Sequence, residues 1–241
     1  SQPIEEAGQR IGYQFTSPSI EAGLVAVKRF ILDPEGFTGR FEIELINQGA
    51  SNLTFNDGNT GLGVVLGPGL GVPEDNGAMS RYWKVDAVLK RGEQFEFKHL
   101  KDPGEQEFFS ASSYDWGSIV SMYFIEALIP DATNPIVSAQ ALADPDLVGP
   151  VATEKTIHFY PTLELYTEPF TMAPGESRSF GYDIFVGPKQ QQVLKSVGHD
   201  FSRVFFFDSW GWFRAICLIL MSLLTWFHGL VGNWGVAIIM L

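Results

Sequence analysis

The pattern of apolar and polar positions changes along the chain, and each change predicts a different kind of element. From Leu24 to Val186 apolar residues recur at every second position, the spacing that puts alternate side chains on one face of a strand. Phe41-Glu42-Ile43-Glu44-Leu45 is the clearest stretch, and Gln94 to Leu100 alternates around Phe95 and Phe97. Ile157-His158-Phe159-Tyr160 and Leu163-Glu164-Leu165-Tyr166 read as strand on either side of Pro161, whose missing N–H requires an edge or a bend. Ile119 to Ile129 is apolar on both faces and predicts one long central strand covered on both sides. Turn residues separate these runs: Asp33-Pro34-Glu35-Gly36, Asn56-Asp57-Gly58, Arg91-Gly92, Asp102-Pro103-Gly104 and Ala173-Pro174-Gly175. Their spacing predicts a mainly β fold, a two-sheet sandwich.

Beyond Val186 the alternation stops. Pro188 suits a first helical position, Lys189 to Val197 carries Val193, Leu194 and Val197 on one face, and Gly198 closes the helix. From Ser209 to Leu241 the only formally charged side chain is Arg214, and Trp210, Trp212, Trp226 and Trp234 flank aliphatic runs. Such rings favour the headgroup layer of a bilayer, where the body is buried and the N–H stays wet. Ala215 to Val231, less its polar breaks, falls short of the about 20 apolar residues of a spanning helix. Gly229, Gly232 and Gly235 interrupt the apolar tail near and beyond its end, so residues 209–231 are predicted as an interfacial amphipathic helix.

At about 100° per residue Arg214, Cys217, Met221, Thr225 and His228 share one narrow stripe, a weak polar face. The expected interface residues are Trp210, Trp212, Phe213, Arg214, Trp226, His228 and Trp234. Arg214 and His228 are expected to face water, and Leu218, Leu220, Leu223 and Leu224 to face acyl chains. The predicted division is a sandwich over 1–187, a connecting helix over 188–199, the interfacial helix over 209–231 and the start of a further, membrane-crossing helix over 234–241.

Composition narrows the chemistry. The 241 residues can bury a sizeable core without staples. Sixteen Lys and Arg against 28 Asp and Glu give a net charge of -12, which offers no grip on phosphate backbones, so nucleic acid is not an expected partner. Cys217, the single cysteine, lies in an apolar run and reads as a small hydrophobe. The glycine-rich stretch from Gly61 to Gly71 has Leu66 where a dinucleotide fingerprint needs glycine, and it lacks Gly-Lys-Ser/Thr. Asp57-Gly58-Asn59-Thr60-Gly61 echoes a calcium loop but has Pro68 where the bidentate glutamate belongs, so a hairpin turn is expected. His99, His158, His199 and His228 are scattered, and Glu42 and Glu44 read as a solvated strand face. No catalytic, metal-binding or cofactor-binding residue is expected.

The C-terminal residues carry a specific likeness. Phe185-Val186-Gly187-Pro188-Lys189, Asp208-Ser209-Trp210-Gly211-Trp212-Phe213 and the run from Trp226 to Ile239 resemble, in order and spacing, the YidC membrane protein insertase family of Gram-negative bacteria. Gly67-Pro68-Gly69-Leu70-Gly71, Trp116-Gly117, Met122-Tyr123-Phe124 and Ala127-Leu128-Ile129-Pro130 resemble its large periplasmic domain. The resemblance implies a β-supersandwich between the first and second transmembrane helices of a multi-pass inner-membrane protein, followed by a helix lying on the periplasmic face. On this reading both chain ends are internal cuts, and the basic residue of the family's hydrophilic groove falls beyond Leu241. It further implies a non-enzymatic insertase and chaperone whose partners are the lipid bilayer, nascent membrane proteins and the Sec translocon with its SecD/SecF subunits. A carbohydrate-binding or sugar-modifying sandwich is the alternative, expected to show stacked exposed aromatics and convergent carboxylates in one cleft.

Overall fold

The computed structural model describes residues 1–6, 8–67, 85–100, 104–148, 159–204 and 211–241; the side chains of 21, 144–148, 159, 160, 211 and 214 also lie outside the described set. In chain order the strands are β1 (Gln2–Glu6), β2 (Gln9–Thr16), β3 (Leu24–Leu32), β4 (Thr38–Asn47), β5 (Leu53–Phe55), β6 (Gly63–Leu66), β7 (Asp86–Arg91) and β8 (Gln94–His99). They continue as β9 (Gln106–Tyr114), β10 (Trp116–Val120), β11 (Phe124–Pro130), β12 (Ile136–Val148), β13 (Phe159–Thr167), β14 (Phe170–Met172) and β15 (Ser177–Pro188). Helices α1 (Gln191–Val197), α2 (Gly211–Val231) and α3 (Trp234–Met240) come after the strands. The chain divides into two compact units, Ser1–Lys189 and Gln190–Leu241.

The first unit is a sandwich of antiparallel sheets. One has nine strands in the order β1-β2-β3-β4-β15-β11-β10-β7-β8, the other four in the order β6-β13-β12-β9, with β5 and β14 as a short extra pair. Alternation produces the core, as the period-two pattern predicts. Phe41, Ile43 and Leu45 of β4, with Phe180 and Tyr182 of β15, pack with Val64, Leu66, Leu163, Leu165 and Phe109 of the smaller sheet. Gly117 of β10 lies where an added methyl would overlap the Leu165 side chain, so glycine lets the two layers approach there.

The inner face of the larger sheet runs past its cover. Cross-strand partners lie on one face, so Phe41, Phe30 and Tyr13 form one row, with Phe15 in the next. Phe30 stacks on Phe41 at 4.6 Å, Phe15 meets Phe30 edge-on at 6.1 Å, and Tyr13, Phe15 and Phe30 are exposed.

The turn chemistry is largely as predicted. Asp57 bridges Thr60 with Gly58 and Asn59 both at positive φ, the two-residue hairpin expected in place of a calcium loop. Asp33 Oδ1 accepts from Glu35 N, and Glu176 N donates to Ala173 O around Pro174 and Gly175, whose φ is +77°. Asp102-Pro103, His158 and the glycine-rich segment beyond Gly67 lie outside the described residues. Pro161 sits within β13, an interior strand. It faces Ala143 of β12, while β6 pairs only with Leu163 to Tyr166, so at Pro161 the other side has no partner among the described residues.

Three expectations are corrected. The run Ile119 to Ile129 is a hairpin of β10 and β11: Ser121 N donates to Phe124 O, and Phe124 N donates to the Ser121 hydroxyl at 3.0 Å, which reverses the chain at Met122-Tyr123. Both faces of β10 are buried, as expected of that run. Pro188 ends β15, opposite Phe124, and α1 begins at Gln191; the missing N–H is tolerated at a strand terminus as well as at a helix start. Of the three glycines expected to interrupt the apolar tail, only Gly232 does, at φ +65° with its N–H donating to His228 O at 2.7 Å; Gly229 lies inside α2 and Gly235 inside α3.

Candidate functional site

The second unit carries the residues singled out from the sequence. α2 is a 21-residue helix, and no helix among the described residues is long and apolar enough to cross a membrane. Its exposed large hydrophobics are not spread evenly. Trp212, Ile216, Ile219, Leu223, Trp226 and Leu230 succeed one another in steps of four and three residues and are all exposed, which makes one continuous apolar stripe with tryptophan near both ends. Half-buried Cys217, Met221 and His228 of the stripe expected to be weakly polar lie on the opposite side, and Leu224, expected to face acyl chains, is half-buried there with them. The hydroxyls of Ser222 and Thr225 donate to Leu218 O at 2.8 Å and Met221 O at 2.9 Å, so they ask nothing of their surroundings.

α2 and α3 meet at a defined corner. Asn233 Oδ1 caps α3 by accepting from Val236 N at 3.2 Å, and the His228 ring stacks on Trp234 with centroids 3.8 Å apart and planes 12° from parallel. Trp212 packs edge-on to Phe213, and Trp226 tilts against Phe227 at 5.1 Å. The structure therefore brings together His228 and Trp234, while Trp212 and Trp226 lie along the exposed stripe. Trp210 and the side chain of Arg214 lie outside the described residues. The sequence reading missed Ile216, Ile219 and Leu230. Counting hydrophobicity alone made every side of this oily helix look alike, and a heptad-like count from Trp212 would have found the stripe.

Two recesses of the sandwich are lined by described residues. One, of about 320 Å³, lies on the outer face of the nine-stranded sheet over Arg29, Arg40, Glu44, Asp131 and Gly181. Arg40 grips Asp131 through two nitrogens at 2.7 and 2.5 Å and also reaches Asp183 at 3.1 Å and Glu42 at 3.4 Å. The guanidinium holds the Asp131 carboxyl below the usual carboxylate range. Glu44 is paired with Arg29 at 2.9 Å. Glu42 and Glu44 are thus each tied to an arginine, and neither is free for acid–base chemistry.

The other recess is a groove of about 950 Å³ lined by the Asp57 to Thr60 hairpin, residues 108–112 of β9, residues 137–140 of β12, Tyr166 and Glu168. Phe108 is 66% exposed beside it. The Tyr166 hydroxyl donates to Glu164, and burial together with that carboxylate pushes the phenol pKa up. No cluster of three or more metal-ligating side chains occurs among the described residues.

The described residues thus form a β-sandwich and a short helical unit with one exposed apolar face bordered by tryptophan. The chain belongs to the YidC periplasmic domain family, whose model matches residues 10–223. It is 30% identical over 172 residues to the membrane protein insertase YidC of Nitrosococcus oceani, covering 70% of this chain and 28% of that protein. It is 26% identical over 233 residues to the membrane protein insertase YidC of Bordetella pertussis, covering 91% of this chain and 36% of that protein. The chain spans between 25% and 39% of the length of the curated relatives it matches. Among solved structures it is similar to a putative aldose 1-epimerase from Escherichia coli K12, at a TM-score of 0.46 and 14% identity over 78% of this chain and 68% of that one. A galactose mutarotase related enzyme from Lactobacillus acidophilus gives a TM-score of 0.48 and 10% identity over 77% and 70%.

Proposed function

We propose that this chain is the periplasmic interaction module and membrane-interface helix of a membrane protein insertase and chaperone in the bacterial inner membrane. The observation that carries the reading is the exposed stripe of α2, Trp212 to Leu230, in a chain of the YidC periplasmic family. No bond is made or broken. α2 seats on the outer leaflet with Trp212, Phe213 and Trp226 at headgroup depth and with Ile216, Ile219 and Leu223 in the acyl region. The His228–Trp234 stack fixes the corner from which α3 enters the bilayer. The seated helix orients the membrane-embedded remainder of a multi-pass protein, which offers a nascent helix a partly hydrated path. Unpaired polar groups in hydrocarbon cost several kcal/mol each, so such a path lowers the barrier to insertion. The partners are the lipid bilayer, nascent membrane proteins and, through the sandwich, the Sec translocon with SecD/SecF.

Single-tryptophan variants in vesicles of phosphatidylethanolamine and phosphatidylglycerol carrying brominated lipid test the seating. Shallow bromines are expected to quench Trp212 and Trp226 strongly. Quenching confined to midplane bromines means a spanning helix, and no quenching in folded protein means no membrane contact; either result sinks the reading. Transplanting residues 1–241 into a relative depleted of the matching region and scoring insertion of a client membrane protein tests the insertase role. The carbohydrate alternative draws on the groove beside Phe108, where Asp57 and Glu168 are the lining carboxylates; Glu42 and Glu44 lie in the other recess, each bound to an arginine.

A further inference from the structure

The reversal between β10 and β11 is built from residues that turns seldom carry. A hairpin tip in water is normally made of Gly, Asn or Asp. Here Met122 and Tyr123 make it and Phe124 follows, with 40%, 58% and 48% of their surfaces exposed. Phe37 and Val186 lie at the same end of the sheet, joined by a bond from Val186 N to Phe37 O at 2.9 Å, and both are exposed. Ser121 to Phe124 contains no charged side chain.

The tip is held firmly, and its turn draws no hydrogen bonds from water. Ser121 N donates to Phe124 O at 2.8 Å, Phe124 N donates to the Ser121 hydroxyl at 3.0 Å, and Lys189 N donates to Tyr123 O at 2.7 Å. Backbone groups already paired within the protein do not oppose entry into a headgroup layer, whereas unpaired ones do. The chain also leaves the sandwich here: Phe124 pairs with Pro188, the last residue of β15, and the helical unit starts at Gln190.

Size and chemistry choose the occupant. The five exposed side chains offer roughly 400 Å², about half of what each partner buries in a stable protein complex. A bilayer accepts a small patch, since seating scales with the apolar area buried. Phe, Met and a Tyr whose hydroxyl stays wet suit the layer between acyl chains and water. The charges beside the patch are mixed: Asp33 and Glu35 in the turn before Phe37, Lys189, and Asp86 paired with His99 at 3.0 Å. They give anionic headgroups no special hold.

We propose that the tip at Met122-Tyr123-Phe124, with Phe37 and Val186 beside it, is a second membrane contact, by which the sandwich itself rests on a phospholipid surface. The proposal rests on the membrane reading of α2 and adds to it a contact made by burial and not by charge.

Nitroxide labels on the full chain in vesicles of phosphatidylethanolamine and phosphatidylglycerol test it, in a Cys217→Ala background so that each label has one site. A label at Tyr123→Cys is expected to collide more with oxygen than with a water-soluble nickel chelate, the signature of headgroup depth. A label at Ser51→Cys, beyond the opposite end of β4, is expected to show the reverse. Tyr123→Ser is expected to weaken vesicle co-sedimentation about tenfold at an unchanged melting temperature, because its ring is exposed. Raising the phosphatidylglycerol fraction is expected to leave the Tyr123 label no deeper. A Tyr123 label in water while one at Ile219→Cys reads lipid overturns the proposal and leaves the α2 seat standing; water at both positions overturns both. Depth that requires phosphatidylglycerol overturns it, because charge then sets the seating. Shielding of the Tyr123 label without vesicles, growing with protein concentration, assigns the tip to a second copy and overturns it as well.

Discussion

Tyr182 packs its ring against Phe41 in the core, and its hydroxyl is buried with no partner among the described residues. Burial and the charge of Asp131 push the phenol pKa up, so the group is neutral at every working pH and contributes only its ring. Tyr182→Phe removes an uncompensated polar atom and is expected to leave stability unchanged or raise it by up to about 1 kcal/mol, as thermal denaturation will show. Next to it on the chain, Gly181 holds the opposite side of the strand open. A methyl there would overlap the Arg40 guanidinium and the Asp131 carboxylate. With side chains 30% and 36% exposed, that pair contributes about 1 kcal/mol or less, and Gly181→Ala is expected to cost that plus the local displacement. Asp131 is held below its unfolded pKa, so its stabilisation is present above the usual carboxylate range and fades as pH falls through the lowered value. Gly181→Ala should flatten that acid limb in a melting-temperature profile, and an unchanged profile contradicts the role given to the pair. Glu126 has the opposite sign. Burial raises its pKa, partly offset by the Gly67 backbone N–H, so the native state loses stability as pH rises from the unfolded carboxylate range through the raised value. Glu126→Gln should remove this fall and melt higher than the parent at neutral pH.

On the proposed reading α2 seats on the membrane by one face, so substitutions on it should sort by angle and not by hydrophobicity. Ile219→Asp, at the centre of the exposed stripe, is expected to weaken vesicle co-sedimentation at least about tenfold, whereas Ser222→Ala, off the stripe, should change it by less than about twofold. Equal effects at the two positions would mean that no face is selected. The same helix shows what a sequence discloses. Its existence and its ends near Gly211 and Val231 are legible from the loss of charge and from Gly232, and the alternating strand β4 is legible because buried apolar residues alternate there with half-buried polar ones. β10 and β11 hide their reversal because both faces of β10 are buried and Ser121-Met122-Tyr123 contains no glycine, proline or asparagine to announce a turn. Pro188 suits a helix start and a strand end alike, and residue type alone does not choose between them. The groove was not legible at all. It arises where β9, β12 and β13 slip register against one another, and register between segments so far apart in sequence is set by the packed core.

At the scale of the whole molecule the boundary falls at Lys189, where the antiparallel ladders end. A chain ending at Lys189 is expected to stay soluble and monodisperse without detergent, because the sandwich carries its own core; aggregation during size-exclusion chromatography would place part of that core beyond the boundary. The strand that reaches this boundary is β15, and its position has a mechanical consequence. It lies between β4 and β11 in the middle of the nine-stranded sheet, antiparallel to both. A pull from the helical unit therefore loads β15 along its length. Its hydrogen bonds to both neighbours are strained together in shear, where an edge strand would be peeled away one bond at a time. Drawn by its last residue in an optical trap, the sandwich should yield abruptly at high force, and should stay folded while whatever is tethered through Gln190 is tugged by a moving bilayer.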